Sequence, residues 1–261
     1  YHWIEPPYHV YNLAGFDSAD GLSVEHQTDI GPWTSRATAM VGRANTTLET
    51  SFDSEVETEV SDILMVNWSM NYDWFTARVV YAQSDLTFDF STLLEGQIFP
   101  MLETAFPLGL SMVLSDASRQ EFAVTDDKVT FGGVGISIDT GKCFLAAEAT
   151  ELGVEDSFLQ EPSSQWYISA GFRVGDFTPY ITYEHVESDY NEDGVKRIMA
   201  DQPASPLNAF QEAALKDIMT ANIPEEAVYS VGLRYNFHPS AAFKVEYIAA
   251  DNTRDDKKPE A

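Results

Sequence analysis

Charged side chains at alternate positions of short runs are the residues best placed to act on ions or solutes. They are Arg36, Arg78, Arg173, Arg234 and Lys244 on the positive side, with Glu25, Asp29, Glu148, Glu184 and Glu246 on the negative. On one surface, such a balanced set would create a transverse field that orders water and selects small polar molecules. The plainer outcome is a set of neutralising Arg–Glu pairs that only tie adjacent strands together. A second group is Asp189-Tyr190-Asn191-Glu192-Asp193-Gly194, whose closely spaced oxygens and glycine match the first half of a calcium loop. Asp189, Asn191 and Asp193 are its candidate metal ligands. The twelfth position, where a bidentate acid belongs, holds Ala200, so a solvated acidic turn is the competing reading. Calcium is the one cofactor the sequence suggests. No HExxH, GxSxG or P-loop occurs and the five histidines have no paired spacing, so no catalytic residue and no enzyme are expected.

The elements that must position these groups are bounded by composition. A chain of 261 residues with 44% hydrophobic residues can build a core, and its net charge of −27 repels phosphate, so no nucleic-acid partner is expected. The longest mostly apolar stretch, 105–114, is about half of what a spanning helix needs and contains Pro107. A single cysteine, Cys143, excludes an intramolecular disulfide.

Aromatics make up 13% of the chain and fall in alternating runs. From 165 to 174, Trp166, Ile168, Ala170, Phe172 and Val174 oppose Tyr167, Ser169, Gly171 and Arg173, one strand with an oily face and a polar face. Ten such strands are predicted, at about 21–30, 33–43, 62–72, 74–84, 128–138, 142–151, 165–174, 177–187, 227–237 and 241–249. Their connections alternate between tight turns, such as Gly31-Pro32 and Gly175-Asp176, and long loops at 44–61, 85–127, 152–164 and 188–226. Turns at one end and loops at the other describe an all-β, antiparallel up-and-down transmembrane barrel. The polar face would then be the pore lining. On the apolar face, Trp33, Tyr72, Phe177 and Phe237 lie beside the turns and Tyr81, Trp166, Tyr183, Tyr229 and Tyr247 near the loops, as two girdles.

Three segments carry a family resemblance: Phe16-Asp17-Ser18-Ala19-Asp20-Gly21, Thr125-Asp126-Asp127-Lys128 running into Phe131-Gly132-Gly133-Val134-Gly135, and Gly175-Asp176-Phe177-Thr178-Pro179-Tyr180. With their order and spacing, the chain resembles the large outer-membrane porins of Gram-negative bacteria. The resemblance implies bacterial outer-membrane localisation, passive diffusion of small hydrophilic solutes and ions, contact with lipid and lipopolysaccharide, and a homotrimer. It also implies a single barrel domain over 1–261 that is incomplete at both ends, an interior piece of a parent of about 16 strands. The family's usual terminal Phe is absent, and the tail 254–261 and the opening 1–20 would lie in external loops.

Loops 44–61, 85–127, 151–164 and 187–226 hold 26 of the 42 acidic residues and four bases, a net −22, so an acidic, cation-attracting mouth is expected. Within 85–127 the apolar set Leu93, Leu94, Ile98, Phe99, Met101, Leu102, Phe106 and Leu108 must be buried, in the lumen or over a neighbouring subunit. In the last loop Ser205-Pro206 starts a helix, Leu207, Phe210, Ala214, Leu215 and Ile218 form its stripe, and Ile223-Pro224 ends it. That helix is expected in the barrel mouth or capping its rim. Two rivals stand beside this reading: a soluble or surface all-β module binding carbohydrate or calcium, and an outer-membrane hydrolase.

Overall fold

The computed structural model describes Trp3, Ile4, Pro6, Pro7, Val10 and residues 18–49, 55–104, 111–155, 163–188, 191–220 and 225–252. Ten strands form one sheet in chain order, every neighbour antiparallel. They are β1 (Asp20–Ile30), β2 (Trp33–Glu49), β3 (Glu55–Tyr72), β4 (Phe75–Phe88), β5 (Val124–Asp139), β6 (Cys143–Val154), β7 (Ser163–Phe172), β8 (Phe177–Ser188), β9 (Glu225–His238) and β10 (Ala241–Asn252). All ten predicted strands are present. The tight turns use the left-handed backbone that their sequence favours, with positive φ at Gly31, Asp73, Gly141 and Gly175. Among the described residues no helix is long and apolar enough to cross a membrane.

Several strands run further toward the loop end than alternation predicts. β3 begins at Glu55 rather than 62, β5 at Val124 rather than 128, and β2 continues to Glu49. The register shifts between Gly42 and Ala44, between Ser61 and Leu64, and between Leu86 and Phe88, with positive φ at Asp62 and Asp126. The first two shifts mark one extra residue on β3 at Asp62 and the third one on β5 at Asp126; each insertion flips the side-chain alternation, so the two-residue period stops there although the ladder does not. Glu55, Glu57 and Glu59, assigned above to a loop, stand on β3.

The two faces differ in kind. One presents Leu22, Val24, Val66, Val79, Val134, Ile168, Ile181, Val231 and Val245 uncovered. At the turn end of that face Trp33 packs on Tyr72 at 5.0 Å, and Phe177 stacks on Tyr235 at 4.6 Å. At its loop end Trp166, Tyr183 and Tyr229 form a chain with centroids 5.1 and 5.0 Å apart. Tyr229 and Tyr235 are six residues apart on one strand, roughly 20 Å of rise, bracketing an apolar band between aromatic rims.

The two longest loops meet each other. Leu94, Phe99, Leu102, Met112 and Phe122 from the connection between β4 and β5 form one core with Val195, Ile198 and Leu215 from the connection between β8 and β9. The burial that the apolar set requires is thus supplied by the other long loop: each supplies what the other needs to leave water. Phe106 and Leu108 lie outside the described residues. Polar contacts stitch the same seam. Gln202 takes the Val113 N–H at 2.9 Å and donates to the Val113 carbonyl at 2.8 Å, and Arg197 pairs with Glu121 at 2.7 Å. The helix Asn208–Thr220 is where Ser205-Pro206 places it, and of its predicted stripe Leu215 and Ala214 pack on this core while Leu207 and Phe210 do not; the Ile218 side chain lies outside the described residues. Leu215 and Gln211 are buried, whereas Leu207 and Phe210 are exposed. Ile223-Pro224 lies outside the described residues.

Asp201 closes the seam by accepting from the hydroxyls of Ser115 and Ser118. These donors, Ser115 first, hold its carboxyl below the usual carboxylate range. The contribution of a carboxylate so lowered is complete above its unfolded value and is lost as the pH falls through the folded one. Acid is therefore expected to loosen the two-loop cap in that window, with Asp201→Asn flattening that part of the profile. Protease cutting within 111–123 as a function of pH measures it.

Candidate functional site on the inner face

The opposite face of the sheet is polar, crowded and concave. Thr76 and Arg78 of β4 line the same hollow as Arg234 and Asn236 of β9, which requires the intervening strands to curl around it. The hollow has a volume of about 480 Å3, and Gly135, Ser137, Glu148, Phe144, Tyr167 and Arg173 are also on its wall. Strand alternation puts these groups inward because their neighbours in sequence carry the apolar band.

Registration then decides which charges meet. Arg78 faces Gly135 of β5, and Gly135 faces Glu148 of β6. A Cβ on Gly135 would stand 3.1 Å from the Arg78 Nε, so the glycine lets the guanidinium cross a whole strand to pair with the Glu148 carboxylate. The same close approach recurs at Gly232, where an added Cβ would lie 2.1 Å from the Tyr180 ring. Within the run Gly132-Gly133-Val134-Gly135, Gly133 and Gly135 are thus packing features of the inner wall, while Val134 faces outward.

Sequence-predicted residues divide into five places. Arg78 and Glu148 form one pair, the acid buried and the base half-exposed. Arg36 lies 3.7 Å from Glu25 and donates to Gln27 at 2.9 Å near the β1 edge, with Asp29 accepting from Thr34. Arg173 makes a two-pronged bond to Asp139 at 2.6 and 2.8 Å at the turn end, a partner not foreseen. Arg234 faces Lys244 across the β9–β10 ladder, its Nε donating to Asn236 at 2.7 Å. Glu184 is buried beside Tyr167 on the β7–β8 ladder. Arg78, Arg36 and Arg173 thus each meet an acid, whereas Arg234 and Lys244 stand as like-charged neighbours, so positive and negative charges are balanced along the wall more than paired on it.

The calcium segment folds otherwise. Asn191 caps the helix Glu192–Ala200 by accepting the Gly194 N–H at 2.8 Å, and Asp193 pairs with Lys196 at 2.9 Å. Its closely spaced oxygens serve a helix start, which the Asn-x-x-Gly spacing also satisfies. Asp189 lies outside the described residues, and among those described no three His, Cys, Asp or Glu side chains gather as a metal site.

One occupant of the hollow has no signal in the sequence. Trp3, expected in an external loop, is buried against the inner face with its indole N–H 3.2 Å from Ser169 Oγ and 3.1 Å from Thr182 Oγ1. Lys244 Nζ donates to the Trp3 carbonyl, and the Ile4 N–H donates to Glu246 at 3.1 Å. Lys244 and Glu246, predicted as pore lining, hold this inward segment. The remaining residues of 11–17 and the tail 254–261 lie outside the described residues.

No family model matches the sequence, and no curated protein does. Among solved structures the chain is similar to the outer membrane channel DcaP of Acinetobacter baumannii, at a TM-score of 0.50 and 10% identity, over 87% of this chain and 55% of that one. It is also similar to the toluene transporters TodX of Pseudomonas putida and TbuX of Ralstonia pickettii. These are at 12% and 14% identity, each with a TM-score of 0.35 over 88% of this chain and 68% of the other. That likeness shows the fold, an antiparallel up-and-down sheet of the outer-membrane β-barrel kind, and the chain spans little more than half of the length of DcaP.

Proposed function

We propose that the protein is a channel of the bacterial outer membrane, through which small hydrophilic solutes and ions diffuse passively. The carrying observation is the sheet's inversion. Large apolar side chains such as Val231 and Ile181 stand uncovered between two aromatic rims, while Glu148, Glu184, Gln165 and Thr182 are buried on the other side. Water is the wrong solvent for the first face and the right one for the second, and a soluble β-module would have the opposite arrangement. Lipid and lipopolysaccharide are the partners proposed for the outer surface, and a homotrimer the proposed assembly.

The second element of the proposal is a cation bias. The near-balanced inner wall contributes little net charge, whereas the acidic connections and strand extensions at the loop end attract cations within about 8–10 Å at moderate salt. Planar-bilayer recordings of the full-length protein across a salt gradient test both. Channels with a cation-selective reversal potential are expected. No channels would end the diffusion reading, and anion preference would end the acidic-mouth argument alone.

A further inference from the structure

We propose that the inner face carries a binding seat for planar aromatic solutes with a ring N–H donor, and that Trp3 is its resident occupant. The inference deepens the channel reading of this face and rests on it for its physiological use.

The seat is built for a ring and one donor. Ser169 and Thr182 face each other across the β7–β8 ladder with their hydroxyls 2.8 Å apart, and both accept from the same indole N–H. Ser169 is fully buried, so the hydroxyl pair is not a piece of ordinary water-facing wall. Tyr167 meets the indole edge-on at 5.9 Å and 87°, and Phe144 and Tyr180 complete the apolar surround. An aromatic surround with a single acceptor pair recognises a flat, oily solute with one N–H, since burying that donor without a partner gives up part of what burying the ring gains.

The ring's contacts are separate from those of the backbone. Lys244 and Glu246 hold the main chain at Trp3 and Ile4, whereas β7 and β8 hold the indole. A solute can therefore replace the side chain without reproducing the peptide. There is also room to approach: the hollow of about 480 Å3 shares Trp3, Tyr167 and Phe144 as walls, a size suited to small ligands. Trp3 then acts as an internal competitor, and its departure opens the lumen at the same level.

The test compares indole with benzothiophene, a bicycle of the same shape that lacks the N–H. Binding is followed by saturation-transfer NMR on the full-length protein in detergent micelles. Trp3→Ala is expected to bind indole saturably and about tenfold more tightly than the parent, and benzothiophene roughly five- to tenfold more weakly than indole, the loss of one buried hydrogen bond. Adding Ser169→Ala and Thr182→Val to Trp3→Ala should remove that preference while leaving ring binding. Trp3→Phe, which keeps a ring without a donor, serves if Trp3→Ala does not fold. Equal affinity for the two bicycles, or no gain on vacating the seat, overturns the proposal. Bilayer conductance separates the failures: channels without the NMR preference sink the seat alone, and the NMR preference without channels sinks the channel reading alone.

Discussion

Val134→Arg is expected to prevent stable insertion of the sheet into lipid, while Ser137→Arg, three residues further along the same strand, leaves it intact. Val134 lies on β5 opposite Val79 of β4 and Ala149 of β6, and is 57% exposed in the middle of the apolar band. An arginine there must hold its charge near the centre of the hydrocarbon or drag water in, at a cost of about 2–4 kcal/mol. Ser137 belongs to the inner set that lines the hollow with Thr76 and Arg78, where a guanidinium is hydrated and near Glu148. Refolding into liposomes, read by heat-modifiable gel migration and denaturant titration, measures the pair. Loss of folding in both variants, or in neither, would remove the assignment of the two faces. The same contrast discriminates against a soluble module, for which an exposed Val to Arg change is nearly neutral.

The faces of the sheet were legible because alternation, turn chemistry and aromatic placement agree from residue to residue. Tyr229, Val231, Leu233, Tyr235 and Phe237 follow that rule, and each is exposed as the rule requires. The rule fails where a backbone irregularity shifts the phase, as at Asp62 and Asp126, because a left-handed residue leaves no trace in the hydrophobic pattern. Charge pairing was half legible. Alternation places Arg78 and Glu148 on one face, but only the register through Gly135 puts them together, and register is a property of two strands. The inward position of Trp3 was not legible at all. Its contacts lie more than 160 residues away, and four residues without periodicity cannot declare which side of a sheet they visit. The cap follows the same logic: each loop shows an apolar surplus, and only the fold reveals that the two surpluses match.

Ile198→Asp should open the loop end and raise single-channel conductance without unfolding the sheet. Ile198 is fully buried, and Val195, Leu215 and Leu102 of the same core are nearly or fully so. A carboxylate among them is costly to keep charged and costly to keep neutral, several kcal/mol either way, and the cheaper response is for the two loops to part. The loops leave the sheet between β4 and β5 and between β8 and β9, so on a curled sheet the structure they share spans the loop end of the hollow. Parting them removes that obstruction while the ladder hydrogen bonds of ten strands stay in place. Arg197→Ala is the control. It removes a seam contact to Glu121 from a half-exposed position, where an ion pair contributes only about 0–1 kcal/mol, and should leave conductance close to that of the parent. Limited proteolysis within 111–123 reports the opening independently of current. If Ile198→Asp exposes that segment to protease yet conductance is unchanged, the cap lies beside the path of permeating ions and not across it.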